Sequence, residues 1–499
     1  MDFTANKFYV ILFSLFETLF TIFTLFVLAN RPLFAATKQC KSAQKYLSTK
    51  LEIKSKQILN TKPMLSSNFK LKIRSGESFL YRKEGTESQV FELRMRDKVS
   101  HFALQNACRK ALKRFPYFNG SFKVKGESIY LVRNKVKPAV ERRRHLRPLG
   151  GARTQKNMLD ITFYGKSIFV AFHHGMCDGR GIMPFIKTLM YYYLRRVYKL
   201  RDLHIPDVRL VGEEMLHGET SDPVRDGNFT FDPEKVFRVD RTGFELPGVD
   251  QEGPSPTLNY RYEHTFELDT FMKVCKEHNA TPPILIAMLV QRAILDVCPL
   301  ADKPITCFLT CDWREHIGLP NTFRNCVSSI YLPYRKEDHG KELRQLGAEY
   351  RELIARQKEL DSGRCSASII KYLSDTLDKL STYEEKSAMA ERMAGMAANT
   401  FNLSYTGRAN MGDAEQYIES IHPYMSGSKG VCIQMMSIGD VITVDFLQSF
   451  GSSMYVDAFC KQCRELGLKF TGSQAIPFST PRDRIRNKSV MKLLQKMFR

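Results

Sequence analysis

Three observations on the sequence predict an α/β (α+β) protein. Its 499 residues are enough for about two or three domains with large cores, and its 43% hydrophobic content is that of a globular chain. Short β-prone apolar runs alternate with stretches of helical periodicity along most of the chain. The sharpest example is a buried-strand pattern at residues 167–172 before a helical pattern at 182–190, which makes 173–181 a strand-to-helix turn.

This turn has the sequence His-His-Gly-Met-Cys-Asp-Gly-Arg-Gly, whose glycines permit a tight backbone. A neutral imidazole takes a proton from a hydroxyl or amine near pH 7 and returns it to a leaving group, which makes His174 a candidate general base. Asp178 carries a negative charge on the same turn and either accepts from the imidazole or holds the turn through an arginine. The plainer alternative is that both histidines make ordinary buried hydrogen bonds at a strand end.

The motif His-His-x-x-x-Asp-Gly at 173–179 resembles the signature of the superfamily of chloramphenicol acetyltransferase, peptide-synthetase condensation domains and alcohol acetyltransferases, and is most similar to the alcohol acetyltransferase-like branch. The resemblance implies that His174 is the general base and that His173 orients the turn or a tunnel wall. It implies that Asp178 and Gly179 are structural, with the aspartate paired to an arginine. The implied fold has two lobes, each a mixed sheet with helices, and a tunnel between them that donor and acceptor enter from opposite faces.

A second motif follows a predicted buried strand, which ends in Asp-Trp-Arg at 312–314. The superfamily has a similar Asp-x-Arg followed by a Gly-Asn pair. Here Asn325 keeps the asparagine, whereas Arg324 replaces the glycine. Arg314 is the predicted partner of Asp178, and the pairing would hold the turn while keeping the carboxylate charged. The alternative is that Arg314 caps local carbonyl groups.

A third predicted strand covers residues 400–407 and ends in a small polar turn. In similar enzymes an equivalent strand lies across the tunnel from the histidine. Ser404 or Tyr405, or the backbone amides of this strand, are therefore candidates for holding a tetrahedral oxyanion.

The twelve cysteines are scattered, and many lie in apolar segments, which indicates reduced, buried thiols in a reducing compartment. Cys460 and Cys463 form a C-x-x-C within a helical pattern, with no second pair or histidine pair downstream. We interpret them as structural and expect no metal site.

The formal net charge of +22 favours acidic partners such as phosphates, anionic lipid or an acidic carrier protein, although a lysine-rich solvated surface explains it equally well. The charge is spread along the chain and no nucleic-acid motif is present, so nucleic acid is not an expected partner. The basic cluster at 141–147 is either a phosphate contact or a solvated loop.

An apolar run at 8–29 has the length of a transmembrane helix, with Glu17 as its one charge. Seven lysines and arginines follow it before residue 57, so the positive-inside rule places the body of the protein in the cytoplasm. The alternatives are a cleaved signal peptide and a buried or interfacial helix, the last implying a cytoplasmic protein without a membrane span.

Composition and patterning divide the chain into six segments. They are a membrane anchor at 8–29, a basic linker at 30–62, an N-terminal lobe with the His-His motif at 63–205, a crossover linker at 206–256, a C-terminal lobe at 257–475, and a basic amphipathic tail at 481–499. The tail has the pattern of an interfacial helix or of one that docks on the body.

The resemblance implies an acyltransferase that moves an acyl group, an acetyl group first of all, from acyl-CoA to a hydroxyl or amine through a tetrahedral intermediate. It implies no metal and no permanently bound cofactor, with acyl-CoA as co-substrate, and we expect a monomer. One alternative replaces acyl-CoA by an acyl or peptidyl carrier protein. The others are a non-catalytic binding module of the same fold and a membrane-bound scaffold whose basic face binds lipid.

Overall fold

A computed structural model describes residues 69–81, 88–143, 146–247, 258–395, 400–425 and 430–479. The predicted anchor at 8–29, the linker at 30–62 and the tail at 481–499 lie outside these residues. All the described ranges fall within one compact unit that begins at Met64. Within them, no single helix has the length and hydropathy to cross a membrane. The helices Leu268–Glu277 and Pro282–Val297 have that length and hydropathy only when they are counted together, and the pair is bent by 75°.

The described strands are numbered in chain order. They are β1 (Lys70–Lys72), β2 (Ser88–Met95), β3 (Gly120–Lys125), β4 (Ser128–Arg133), β5 (Glu141–Arg142), β6 (Leu159–Tyr164), β7 (Ser167–His173), β8 (Leu258–Glu267), β9 (Cys307–Asp312), β10 (Val327–Leu332), β11 (Phe401–Arg408), β12 (Ile418–Met425), β13 (Val431–Ile438), β14 (Val441–Gln448), β15 (Phe470–Gly472) and β16 (Ile476–Ser479).

The described α-helices are numbered in the same way. They are α1 (Ser78–Tyr81), α2 (His101–Arg114), α3 (Gly179–Val197), α4 (Pro223–Asp226), α5 (Leu268–Glu277), α6 (Pro282–Val297), α7 (Leu343–Gln357), α8 (Leu360–Asp378), α9 (Tyr383–Gly395) and α10 (Met454–Glu465). Together with the strands they confirm the mixed α/β class.

The first large sheet has the strand order β12-β2-β7-β6-β5 and is antiparallel except for the β5–β6 pair. Alternate residues of β7, such as Ile168, Val170 and Phe172, are buried in one core with the apolar faces of α2 and α3. The apolar runs at 159–164 and 167–172 predict a hairpin around Gly165, and strands β6 and β7 form this hairpin, with the His-His motif at the end of β7. A small sheet of order β1-β4-β3 contributes to the same core.

The second large sheet has the order β10-β9-β11-β13-β14-β8-β15, with β16 also paired to β8. The sequence at 284–297 is apolar almost all round, which predicts a buried helix, and α6 is buried in the core of this sheet. The sequence Thr281-Pro282-Pro283 also predicts that the Thr281 hydroxyl caps this helix, and that prediction is wrong, because the side chain makes no cap hydrogen bond. Pro282 and Pro283 lack two of the N–H groups that begin the helix, so little remains for a cap to satisfy.

Strand β12 crosses from the C-terminal half of the chain into the N-terminal sheet, where Ile421 pairs with Leu93 of β2. The predicted boundary of a continuous C-terminal lobe at 257–475 is therefore wrong at this strand. Five consecutive residues of β12 are buried, and a strand without alternation carries no local signal of which sheet it joins.

Buried polar contacts join the two large sheets. Arg261 of β8 donates to Glu92 of β2 at 3.0 Å, and His422 of β12 lies 2.9 Å from Asp445 of β14. Burial alone would raise the pKa of Glu92, but Arg261 and the neighbouring Arg94 outweigh it and hold that pKa at about 2. The sheets are thus held in a fixed relation behind the motif turn.

All eleven cysteines in the described residues are free thiols. Cys460 and Cys463 are buried on α10, where the Cys460 sulfur lies 3.3 Å from the His264 imidazole. Burial raises the pKa of Cys460 to about 11, which leaves it protonated and unreactive at neutral pH.

Candidate active site

The motif turn joins the end of β7 to the start of α3. Asp178 is the N-cap of α3, and its carboxylate accepts from the Gly181 N–H at 2.8 Å. A side chain at Gly181 would overlap the backbone of Phe323, so this position requires glycine. The turn is therefore packed directly against the loop at 321–325.

The predicted pair of Asp178 and Arg314 is present. Nη2 of Arg314 lies 2.8 and 2.9 Å from the two carboxylate oxygens, and both side chains are almost completely buried. The Cys326 N–H also donates to this carboxylate at 2.9 Å. Burial opposes the charge of Arg314, but Asp178 and the adjacent Asp312 outweigh it and raise the arginine pKa.

Arg314 fulfils its alternative role as well, because its guanidinium donates to the carbonyl oxygens of Thr322 at 2.9 Å and Arg324 at 2.7 Å. One buried arginine thus binds the aspartate of the motif and the backbone of the loop that faces it. The geometry matches the second role considered for Asp178, that of holding the turn.

His174 is 5% exposed, and two groups approach its Nδ1 atom. The Cys177 carbonyl oxygen lies 3.2 Å away and accepts only from a protonated Nδ1. The Asn325 amide nitrogen lies 2.9 Å from Nδ1 and 3.2 Å from the His174 carbonyl oxygen, and donates only to an unprotonated Nδ1. The two neighbours select opposite tautomers, and the one bound to Cys177 leaves the lone pair on Nε2.

His173 is also buried, and its Nδ1 accepts from the Gly175 N–H at 3.0 Å. Its ring meets Phe122 edge to face, with 4.9 Å between ring centroids. These contacts fix the backbone of the turn and agree with the orienting role that the resemblance implies.

Arg324, which stands where the superfamily has glycine, is a buried contact between three segments. Its Nη1 donates to Asp222 at 2.8 Å and to the Lys72 carbonyl oxygen at 3.0 Å. Its neighbour Asn325 reaches His174, so the departure from the family pattern adds an anchor to this loop.

The predicted crossover linker also supports this loop. Glu219, which is fully buried, accepts from Arg114 at 2.8 Å and from Arg209 at 2.7 Å. Its own carbonyl oxygen accepts from the Phe323 N–H at 2.8 Å. Sequence analysis missed this role because the segment lacks periodicity, and an isolated glutamate gives no signal of its partners.

Strand β11 presents its two predicted candidates to opposite faces, because side chains alternate along a strand. Tyr405 packs on the C-terminal core, with its hydroxyl 3.2 Å from the Ser437 hydroxyl. Ser404 and Thr406 share the other face, and Thr406 Oγ1 would lie 3.7 Å from a Cβ on Gly179. The structure thus brings Thr406, which the sequence analysis did not name, beside the motif turn.

Segment 76–81 contacts the motif turn from the N-terminal side. The Phe79 ring stacks on the His174 imidazole with 4.1 Å between centroids and 10° between planes. A Cβ on Gly76 would lie 2.7 Å from the Gly175 Cα, so the two backbones touch. No periodicity or motif in this segment indicates such contacts, and neither contact was predicted from the sequence.

A cavity of about 360 Å³ lies beside β11 and the start of α6. Its wall includes Tyr405 and two cations, Arg351 and Lys358. Thr310 and Cys311 line it too, and they directly precede Asp312, which binds Arg314 and Arg180. A larger cavity of about 860 Å³ lies at the other edge of the second sheet, around His264 and Cys460.

The basic cluster at 141–147 is only partly solvated. Arg147 is buried, and its guanidinium bonds Asp160 and Glu141, so this arginine is already engaged by carboxylates. Arg142 and Arg143 are exposed, as the solvated-loop interpretation expects. Within the described ranges, no group of three or more His, Cys, Asp or Glu side chains is arranged to hold a metal ion.

Comparison with solved structures identifies the fold. Polyketide synthase associated protein 5 of Mycobacterium tuberculosis superposes with a TM-score of 0.54 at 12% identity, over 80% of this chain and 99% of that one. The EpoB cyclization-docking bidomain of a Sorangium cellulosum peptide synthetase gives 0.53 at 12% identity, over 87% and 93%. The chain has the fold of the chloramphenicol acetyltransferase and condensation superfamily.

A third structure of this fold is TRI101 of Fusarium sporotrichioides, determined with coenzyme A and T-2, which gives a TM-score of 0.50 at 12% identity over 81% of this chain and 99% of that one. No family model matches the sequence, and no curated protein matches it. Three-dimensional similarity therefore persists at a sequence identity of only 12%.

Proposed function

We propose that the protein is an acyltransferase in which His174 is the general base. The observation that carries the proposal is the buried imidazole with Nδ1 facing the Cys177 carbonyl oxygen, on a turn held by the Asp178–Arg314 pair. In that tautomer Nδ1 carries the proton, and the Nε2 lone pair takes the proton of a hydroxyl or amine acceptor.

The remaining steps follow from direct transfer. The deprotonated acceptor attacks the carbonyl carbon of the acyl thioester and forms a tetrahedral oxyanion. The carbon–sulfur bond then breaks, and the thiolate receives the proton from the His174 imidazolium. In this proposal the oxyanion accepts from the hydroxyl of Thr406, which lies beside the motif turn, or from that of Ser404 on the same face of β11.

The proposed donor is acyl-CoA, an acetyl thioester first of all. The TRI101 structure with coenzyme A, which shares this fold, supports that choice. The panel of alcohols and amines in the assay below distinguishes an oxygen acceptor from a nitrogen acceptor.

A carrier-protein donor is the second candidate, favoured by the likeness to a peptide-synthetase domain and by the net charge of +22. Carrier proteins are acidic, so a basic surface would attract them. A binding module without catalysis is the remaining alternative.

The test uses a chain that starts at Lys62, mixed with acetyl-CoA or longer acyl-CoAs and a panel of alcohols and amines. Thiol release that requires acceptor and disappears in His174→Ala supports the proposal, while the exposed His217→Ala serves as the matched control. If folded wild-type protein and His174→Ala release equal thiol, acyl-CoA is not the donor, and acylated carrier proteins are tested next.

We also propose that residues 8–29 anchor the protein in a membrane with its body in the cytoplasm, on the strength of the apolar run and its basic flank. The full chain should then stay with membranes through alkaline carbonate washing, whereas the chain starting at Lys62 should be released. Release of both would contradict the anchor.

A further inference from the structure

The aromatic ring of Phe79 lies flat against His174, which the proposed function makes the general base. The centroids are 4.1 Å apart and the planes differ by 10°, so the ring covers one face of the imidazole. Phe79 is half-buried, and its helix α1 contains only Ser78–Tyr81. Such a short helix needs other contacts to hold its place.

Those contacts come from both ends of the segment. Gly76 and Gly175 meet backbone to backbone, since a Cβ on Gly76 would lie 2.7 Å from the Gly175 Cα. At the other end the Ser387 hydroxyl of α9 donates to the Tyr81 carbonyl oxygen at 2.7 Å. The position of the Phe79 ring is thus set by buried contacts on either side of it.

We propose that Phe79 is a positioning residue for the His174 imidazole; this inference rests on the proposed function. The stacked ring keeps the imidazole plane fixed and closes one of its faces, so an acceptor must approach in the ring plane at Nε2. The imidazolium that forms during transfer lies over the electron-rich face of the phenyl ring, which favours it relative to an aliphatic neighbour.

A role of the aromatic ring is distinguishable from a role of apolar bulk. Phe79→Leu keeps an apolar side chain without a ring, and Phe79→Tyr keeps the ring. Phe102 of α2 is 68% exposed and provides the matched control, Phe102→Leu. All variants are made in the full chain, and thermal unfolding shows that each is folded.

For Phe79→Leu we expect kcat to fall about tenfold with the KM for the acyl donor unchanged, which is the size of one aromatic or cation–π contact. Phe79→Tyr should restore kcat. Carbethoxylation of His174, followed by mass spectrometry, should be several-fold faster in Phe79→Leu than in wild type, Phe79→Tyr or Phe102→Leu.

Equal kcat and equal modification rates for the leucine and tyrosine variants would overturn the inference. If the wild-type protein transfers no acyl group, the proposed function fails, and the modification rates still decide whether Phe79 shields and positions His174. If Phe79→Leu does not fold, Phe79→Met takes its place, since its flexible side chain fills the same space without a ring.

Discussion

The carbonyl oxygen of Phe323 occupies the space that a side chain on Gly181 would need. The first turn of α3 and the loop that carries Asn325 are therefore in backbone contact. Helix α3 follows a strand of the first large sheet, whereas the loop joins β9 to β10 of the second. Asp178, which pairs with Arg314, lies three residues before Gly181. Asn325, which contacts the proposed base His174, lies two residues after Phe323. The geometry of the site thus depends on how the two sheets are docked.

Gly181→Ala should weaken this docking. The added methyl group must displace backbone, and overpacking of this kind costs about 1–3 kcal/mol. Urea unfolding should show the loss, and kcat should fall with it because the motif turn moves. Gly340→Ala is the control, because a Cβ at that glycine meets no atom within 4 Å; equal stability of the two variants would contradict the prediction.

Removing the charge of Asp178 should be more damaging than removing an exposed charge. In Asp178→Asn the buried Arg314 loses one of its two carboxylates and keeps Asp312, so the cost should be about 3 kcal/mol, the lower end of the range for an uncompensated buried charge. Asp375→Asn breaks the exposed pair with Lys371 on α8 and should cost about 1 kcal/mol or less. Chemical denaturation of both variants measures the difference, and similar losses would argue against a structural role for the buried pair.

The two faces of β11 predict different effects on turnover. If hydroxyls of Ser404 or Thr406 hold the oxyanion, Ser404→Ala or Thr406→Val should lower kcat by about 10²–10³. Tyr405→Phe should change kcat little, because Tyr405 packs on the opposite side of the strand. Steady-state kinetics on the three variants decides the matter. A large loss of kcat in Tyr405→Phe alone would mean that our proposal places the hydrogen-bond donor to the oxyanion on the wrong face of β11.

Glu77 makes stability depend on pH in a direction opposite to that of most carboxylates. Burial, and then the nearby Asp378, raise its pKa from 4.5 to about 7. The unfolded state therefore loses this proton first, and the Glu77 contribution to folding stability falls as pH rises from about 4.5 to 7. Above pH 7 Glu77 is ionised in both states, and its burial then destabilises the folded state by about 3 kcal/mol.

Glu77→Gln cannot ionise, so it escapes this penalty. Its free energy of unfolding should therefore increase by about 3 kcal/mol relative to that of wild type between pH 4 and pH 8, which means that the variant becomes relatively more stable. Denaturant titrations across that range measure the change, with exposed Glu384→Gln as the control. A pH-independent difference between Glu77→Gln and wild type would refute the raised pKa.

The features that depend on local pattern were predictable from the sequence. The β7–turn–α3 unit and the buried helix α6 are visible as periodicity, whereas the Asp178–Arg314 pair followed from the resemblance to the superfamily. The contacts of Phe79 and Thr406 are different in kind. They arise only when distant segments are packed together, and no local pattern in the sequence reports that packing.

The placement of β12 has a consequence for how the chain is made. Strand β2 is synthesised long before β12, so Leu93 has no pairing partner at this edge until Ile421 has been made. During translation that apolar edge is left without its partner strand while most of the second sheet is still unmade, a situation that favours aggregation or chaperone binding. Cutting the gene at the crossover would yield an N-terminal half that lacks one of its own strands.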